Sequence, residues 1–382
     1  MTHAGKYELI RKLAVDFASK ELTSEVLDLA EEKGEFERSL VQKMAKTGLC
    51  GIKIPEEFGG QGSDVMAYVI AMEEISKVSA AFGLYMSNPN SLASAPILIS
   101  GSKEQKEKYL PGLAQGEVIG AFALTEPGAG SDVGAISTRA VLDGDFYVLN
   151  GRKTFITLGP VSDLTIIYAK TGEGKSIRDI SAFILDMKLP GVSVGRFEDK
   201  LGIRACPTSD IIMEDVRVHK SDLLGDLGKG FRNAMSTLDL GRIGIAAQAV
   251  GIAQACLDES VKFANERKQF GRSIGEYQGI SFKIADMYAK IQAAQELTYR
   301  AAAIADSGVT GSKLTVAAAT AKLYSSEVAN QIAYDAVQIH GGYGFMRDYR
   351  VERLYRDARV LPIYEGTSEV QKIVIASQLL KK

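Results

Sequence analysis

The hydrophobic period of this 382-residue chain changes twice, and that limits the folds open to it. From Tyr7 to about Gly116 apolar residues recur at helical spacing: Leu9, Leu13, Phe17 and Leu22, then Leu40, Met44 and Leu49. Near Val118 the pattern changes to short β-type runs bounded by turn residues. From Gly230 the helical period returns. Val250, Ala253, Leu257, Val261 and Ala264 keep one face, and Leu314, Ala317, Ala321, Tyr324, Val328 and Ile332 another. Small residues on such faces allow close helix packing. This order predicts an α+β protein: an N-terminal all-α domain over 1–118, a small middle β domain over 119–228, and a C-terminal four-helix bundle over 229–382.

Within the first segment, helices are predicted over Met66–Lys77 and Leu92–Ile99, with a turn-rich loop at Pro55–Gly62. The stretch Gly83–Ser91 alternates small, polar and apolar residues and reads as a cavity-lining loop. In the middle segment, Ala121–Thr125 reads as a strand. Asp143-Gly144 marks a hairpin between Arg139–Leu142 and Phe146–Leu149. Asn150-Gly151 reads as a second turn before Lys153–Thr157, and Leu164–Ala169, Ala182–Asp186 and Ile211–Met213 as further strands.

Composition narrows the function classes. A net charge of −2 implies no bulk attraction to nucleic acid or membrane. Cys50, Cys206 and Cys256 are too few and too far apart for a disulfide framework, and His3, His219 and His340 lack metal-ligand spacing, so no metal is expected. Met1–Lys6 leads straight into an amphipathic stretch, with no signal peptide, and no apolar run reads as a bilayer span. The expectation is a cytoplasmic protein.

Four stretches can carry chemistry. Near the C-terminus, Glu365 follows the apolar run Val360–Tyr364 and precedes Gly366. Pro362 fixes one φ upstream, Gly366 permits a bend, and Thr367 or Ser368 can cap the following helix. An acid buried at such a junction would have a raised pKa suited to a base; the alternative is an ordinary surface Glu near a helix start. Thr125–Asp132 (TEPGAGSD) offers backbone N–H groups to an anion, or is only a tight turn. Arg267–Arg272 (RKQFGR) is either helix-dipole compensation or a phosphate clamp. Gln338–Phe345 (QIHGGYGF) has more glycine than a helix stop needs, which would let backbone approach a ligand closely.

In this order the four motifs resemble those of the acyl-CoA dehydrogenase family, and the resemblance covers nearly the whole chain. It implies a β-barrel-like middle domain and FAD held noncovalently between that domain and the bundle. Phe122, Leu124, Thr125, Gly130 and Ser131 would meet the cofactor, with Thr157 near its ring. Phe155 stands where the family often has Trp. Arg267, Gln269, Phe270 and the run Gln338, Ile339, Gly341 and Gly342 would reach the FAD of a neighbouring subunit in a homotetramer. Thr367 and Glu369 would complete the site. The acyl-CoA would meet Ser131, Leu238, Asp239, Arg242, Tyr364 and Gly366, with Tyr85 and Asn88 on the pocket floor.

The implied reaction is α,β-dehydrogenation of an acyl-CoA to a 2-enoyl-CoA. Glu365 takes the α-proton, its own N–H helps hold the thioester oxygen, hydride goes to flavin N5, and an electron-transfer flavoprotein receives the electrons. The family's alternative base would fall at Gly241, so Glu365 is the one candidate and the space opposite it is empty. The same groups serve an enoyl-CoA reductase in an electron-transfer complex. An acyl-CoA oxidase would commonly be longer. A non-catalytic flavin- or CoA-binding protein would not need Glu365. Tyr85, Asn88 and Asn90 are polar for a long-alkyl pocket, leaving short, branched, cyclic or aryl acyl groups open.

Overall fold

The computed structural model describes residues 3–174 and 176–380; Met1 and Thr2, part of the stretch read for a leader, lie outside it. Seven helices come first: α1 (His3–Glu21), α2 (Ser24–Lys33), α3 (Arg38–Lys46), α4 (Val65–Val78), α5 (Ala80–Asn90), α6 (Ser94–Ser100) and α7 (Lys103–Ala114). The starts of α4, α5 and α7 carry side-chain caps. Asp64 accepts from Ala67 N–H at 2.8 Å, Ser79 from Phe82 N–H, and Ser102 forms a capping box with Gln105. Leu9 is exposed, so the buried face of α1 is Ala14, Phe17 and Ala18 rather than a line through Leu9.

The middle segment holds β1 (Gly120–Ala123), β2 (Arg139–Asp143), β3 (Phe146–Thr157), β4 (Leu164–Lys170), β5 (Ile180–Asp186), β6 (Val192–Val194), β7 (Thr208–His219) and β8 (Leu223–Leu224). They form one hydrogen-bonded sheet in the order β6-β7-β3-β2-β4-β5-β8, with β1 parallel to β4. Gly144, at φ +63°, makes the expected β2–β3 hairpin. Asn150-Gly151 is not a turn. β3 continues through it and pairs with β7 on both sides of a register shift. Gly151 takes φ +153° at this bulge, and a Cβ there would lie 2.4 Å from Thr138 Oγ1. One face of the sheet packs on α6, α7 and the start of α8 through Ile97, Leu110, Ile166 and Ala234.

The C-terminal segment contains α8 (Gly230–Glu266), a short hairpin of β9 (Lys268–Gln269) and β10 (Arg272–Ser273), α9 (Gln278–Asp306), α10 (Ser312–His340), α11 (Val351–Ala358) and α12 (Ser368–Leu379). Only three of these helices are long. The short α11 and α12 pack on α10, and α4 of the N-terminal segment packs on α8. The contact with α4 is close because α8 carries glycine there. A Cβ at Gly244 would meet Tyr68 Oη at 2.1 Å, and one at Gly251 the Glu73 carbonyl at 2.4 Å. Among the described residues α8 alone is long and apolar enough to cross a bilayer, but 89% of its most apolar window is buried as the central helix of this core.

Candidate active site

Glu365 lies in the turn between α11 and α12, and the local chain explains its placement. Ser368 N–H donates to Pro362 O at 2.9 Å, closing the turn, and Thr367 Oγ1 accepts from Val370 N–H as the N-cap of α12. Two consecutive residues are left-handed: Glu365 at φ +50° and Gly366 at φ +94°. Glycine adopts this region freely; a glutamate there costs about 1 kcal/mol or more and marks a constrained position. Gln371 Nε2 donates to Gly366 O at 2.9 Å and to Glu365 O at 3.3 Å. Lys322 Nζ, from α10, donates to the same Gly366 O at 2.6 Å.

The carboxyl is directed onto the backbone of α8. An ideal Cβ on Gly241 would stand 2.0 Å from Glu365 Oε2, so the expected empty space is filled by the Glu365 side chain itself. Oε2 is buried and has no hydrogen-bond partner among the described residues. Burial raises the Glu365 pKa to about 7, against the opposing pull of Lys322 and Arg242. The Glu365 N–H also donates to no acceptor among the described residues, leaving a backbone donor beside the acid.

The neighbours are built for position. The Tyr364 hydroxyl donates to Gln248 Oε1, while Gln248 Nε2 donates to Ala80 O at 2.8 Å, which locks the ring between α8 and α5. Arg242 pairs with Asp239 at 2.7 Å, and Asp239 also accepts from Thr315 Oγ1. Arg242, expected to meet the CoA thioester, is buried, with Nε unpartnered among the described residues. Leu238 packs toward the β domain. Tyr68 of α4 donates to or accepts from Ser87 at 2.7 Å, and it lies close enough to Glu365 to feel its charge.

Tyr85 and Asn88 are a correction. Gly83–Ser91 is not a loop: Ala80–Asn90 is helix α5, entirely buried. The Tyr85 ring packs between Phe36 and Phe82, and its hydroxyl accepts from Phe36 N–H. With Asn88 it lines a cavity of about 10 Å³ whose walls do not include Glu365. A polar helix can be core when its polar atoms find partners inside: Asn90 Nδ2 donates to Leu49 O and Met86 O, whereas Asn88 Oδ1 is buried with no partner among the described residues.

The other sequence candidates fall into three groups. On the β domain, Thr125 O accepts from Thr154 N–H at 2.9 Å, bringing Thr125 beside Phe155. Phe155 has φ +56° and is 66% exposed, and a Cβ on Gly130 would meet nothing within 4 Å. Ser131 is exposed, Thr157 and Phe122 are half-buried, and Leu124 is buried. Beneath this loop lies a buried ion pair that sequence reading did not single out. Lys153 Nζ donates to Glu126 Oε1 at 2.8 Å and to Leu124 O at 3.1 Å, and Glu126 accepts from the N–H groups of Ser137 and Thr138. Burial pushes Glu126 up, but Lys153 and these donors outweigh it and hold it at about 2.

A cleft of about 630 Å³ gathers Arg267, Gln269, Phe270, Ile339, Gly341 and Gly342. Gln338, exposed on the last turn of α10, is not on its walls. Arg267 stacks over Tyr343 at 5.1 Å, Phe270 is 94% exposed, and nothing lies within 4 Å of a Cβ on Gly341 or Gly342. Thr367 and Glu369 line a different cleft of about 560 Å³, with Arg359 and Tyr355. The two clefts share no lining residue. Bare aromatic rings, hydroxyls, an arginine and open glycine backbone are the donor set a flavin dinucleotide needs.

Lys322, Gln248 and Gln371 are the site residues that sequence reading missed. Lys322 had a signal: it sits among Ala318, Ala321 and Ser325 on the buried face of α10, where a charged side chain is out of place unless it has a task.

Models of the acyl-CoA dehydrogenase N-terminal, middle and C-terminal domains match residues 5–117, 121–216 and 228–380. The chain belongs to the acyl-CoA dehydrogenase family. As an acyl-CoA dehydrogenase family oxidoreductase it has informative relatives. It is 56% identical over 382 residues to the CarC subunit of a caffeyl-CoA reductase–Etf complex from Acetobacterium woodii, covering 100% of both chains. It is 56% identical over 381 residues to a 3-(aryl)acrylate reductase from Clostridium sporogenes, again covering 100% of both. Among solved structures, butyryl-CoA dehydrogenase from Megasphaera elsdenii superposes with a TM-score of 0.95 at 42% identity, covering 100% of this chain and 99% of that one.

Proposed function

We propose that this protein is an FAD-dependent oxidoreductase acting on the Cα–Cβ bond of acyl-CoA thioesters. It runs as a reductase of 2-enoyl-CoA esters bearing an aryl β-substituent, with electrons delivered by an electron-transfer flavoprotein. The observation that carries the reading is the Glu365 carboxyl, buried, with Oε2 unpartnered among the described residues and a pKa near neutrality. At pH 7 about half of such a group is protonated, so it can give a proton to Cα in reduction or take one in dehydrogenation. The free N–H of Glu365 is available to the thioester oxygen, where charge develops in either direction.

The residues that would hold FAD are Thr125, Ser131, Phe155 and Thr157 on the β domain and Thr367 and Glu369 at α12. From a neighbouring subunit of a homotetramer, Arg267, Gln269, Phe270 and Gly341–Gly342 would complete the site. When bound, FAD supplies the hydride chemistry at Cβ. The chain's own part is to orient the thioester, exclude water and move the α-proton at Glu365 Oε2. The aryl preference and the reductive direction are supported by the two 56% relatives, whose names describe reduction of caffeyl-CoA and of arylacrylates.

The test is anaerobic mixing of the chemically reduced flavoprotein with cinnamoyl-CoA and with crotonyl-CoA, read as flavin reoxidation. Faster reoxidation by cinnamoyl-CoA supports the aryl assignment, and a clear preference for crotonyl-CoA overturns it. If neither thioester reoxidises the flavin, the reductive reading fails.

A further inference from the structure

We infer that Lys322 is the positioning residue of this site: its ammonium pins the left-handed Glu365–Gly366 turn and sets the pH range over which the Glu365 carboxyl exchanges its proton. The inference rests on Glu365 being the proton-transfer group. It concerns a residue on a different element, 43 positions away in the chain (365 − 322).

The geometry is specific. Lys322 is fully buried on the inner face of α10, yet has no salt bridge to a carboxylate among the described residues. A buried ammonium is costly unless hydrogen-bonded or paired. Its hydrogen bond is to Gly366 O, the carbonyl immediately after the acid. That carbonyl also accepts from Gln371 Nε2, so two side chains from two helices hold one peptide of a strained turn. A merely structural lysine could satisfy any nearby carbonyl; this one fixes the peptide on which the orientation of Glu365 depends.

The charge acts on the same group. Burial lowers the Lys322 pKa to about 8, and Glu365 is the leading anion opposing that fall. Lys322 is in turn the leading influence against the burial that raises Glu365. The other groups facing the pair are Arg242, neutralised in part by Asp239, on α8; Tyr68 on α4; Tyr364, next to the acid in the chain; Glu369 on α12; and Glu327 further along α10. Lys372 lies 3.4 Å from Glu327, which occupies that carboxylate. Lys322 is therefore the cation that distinguishes the ionised from the protonated form of Glu365 without being committed to a carboxylate of its own.

The experiment follows the protonated-carboxyl infrared band of Glu365, identified by its loss in Glu365→Gln, against pH in the holoenzyme and in Lys322→Met and Lys322→Arg. Lys322 holds the turn that carries Glu365 and forms no salt bridge with its carboxyl, and an opposite charge at about 4–6 Å lowers a carboxyl pKa by about 1–3 units, so Lys322→Met should move the midpoint up by about 1. Ionised Glu365 at pH 7 would then fall about fivefold, with a matching loss of dehydrogenation rate that is recovered at higher pH. Lys322→Arg, which keeps the charge, should restore most of the midpoint. An unmoved midpoint in a folded Lys322→Met overturns the inference. A reciprocal measurement needs no Lys322 variant: the ¹⁵Nζ titration of Lys322 should shift down in Glu365→Gln, and no shift overturns the inference equally. Full activity of Glu365→Gln would instead sink the assignment of Glu365, which separates the two failures.

Discussion

The contact between Gly241 and Glu365 allows a perturbation whose two effects have opposite signs. Gly241→Ala adds one methyl to α8, and an ideal Cβ there is 2.0 Å from Glu365 Oε2, 2.9 Å from Cδ and 3.3 Å from Oε1. To reach ordinary contact at 3.4 Å, Oε2 must retreat by about 1.4 Å (3.4 − 2.0). The carboxyl is the far end of a flexible side chain, so it can move without disturbing the backbone. A proton acceptor misplaced by about 1 Å loses about 10²-fold in rate, so the flavin half-reaction should slow by at least that factor. Stability should move the other way, because alanine inside a helix is favoured over glycine by up to about 1 kcal/mol. Stopped-flow flavin absorbance gives the first quantity and thermal melting the second. Gly244→Ala is the control. Its methyl would meet the Tyr68 ring, with Oη at 2.1 Å and Cζ at 2.9 Å, and a packed ring cannot retreat as a carboxyl can. That variant should therefore lose stability. If Gly241→Ala reacts at the wild-type rate, the carboxyl does not work from its seat on α8. The same contact explains why Glu365→Gly combined with Gly241→Glu should recover part of the activity: removing the first carboxyl clears the space the second would occupy.

Three further outcomes are expected. Burial raises the Glu365 pKa from 4.5 to about 7, so the folded state holds its proton more tightly than the unfolded chain and loses stability as pH rises across that window; Glu365→Gln should gain up to roughly 3 kcal/mol over wild type above pH 7 and nothing below pH 4.5, as read by denaturant melts across pH. Lys153→Met leaves Glu126 buried without its cation and should cost about 3–5 kcal/mol in chemical denaturation, whereas Lys153→Met with Glu126→Leu should recover only part of it, because the Ser137 and Thr138 N–H groups then lose their acceptor. If Arg267 binds the flavin phosphate as proposed, Arg267→Ala would remove a charge-assisted contact worth about 1.5–3 kcal/mol, so flavin retained through gel filtration should fall, and a variant with full flavin content would remove Arg267 from the cofactor site.

Much of this protein could be read from its residues because the decisive signals are local. The helical faces, the Gly144 hairpin and the Pro362–Thr367 turn depend on hydrophobic period, allowed φ and capping, which act within a few residues. The local pattern at Glu365, with acid, glycine and cap adjacent in the chain, leaves an ordinary surface Glu open, and the residue is singled out as a base by the resemblance that the four motifs carry together. Local patterns failed where tertiary packing overrode them. Asn150-Gly151 has turn chemistry, but pairing with β7 draws it into a strand as a bulge. Ala80–Asn90 looks too polar for core, but Asn90 finds its partners on Leu49 and Met86, and Tyr85 packs with Phe36 and Phe82. Only the folded chain could bring Lys322 of α10, Gly241 of α8 and Tyr68 of α4 around one carboxyl, and Gln248 of α8 onto its neighbour Tyr364. The sequence by itself marked Glu365 as the candidate base; how strongly that carboxyl holds its proton is decided by burial and by charges from distant helices, because desolvation and Coulomb interactions depend on distance in space and not on distance along the chain.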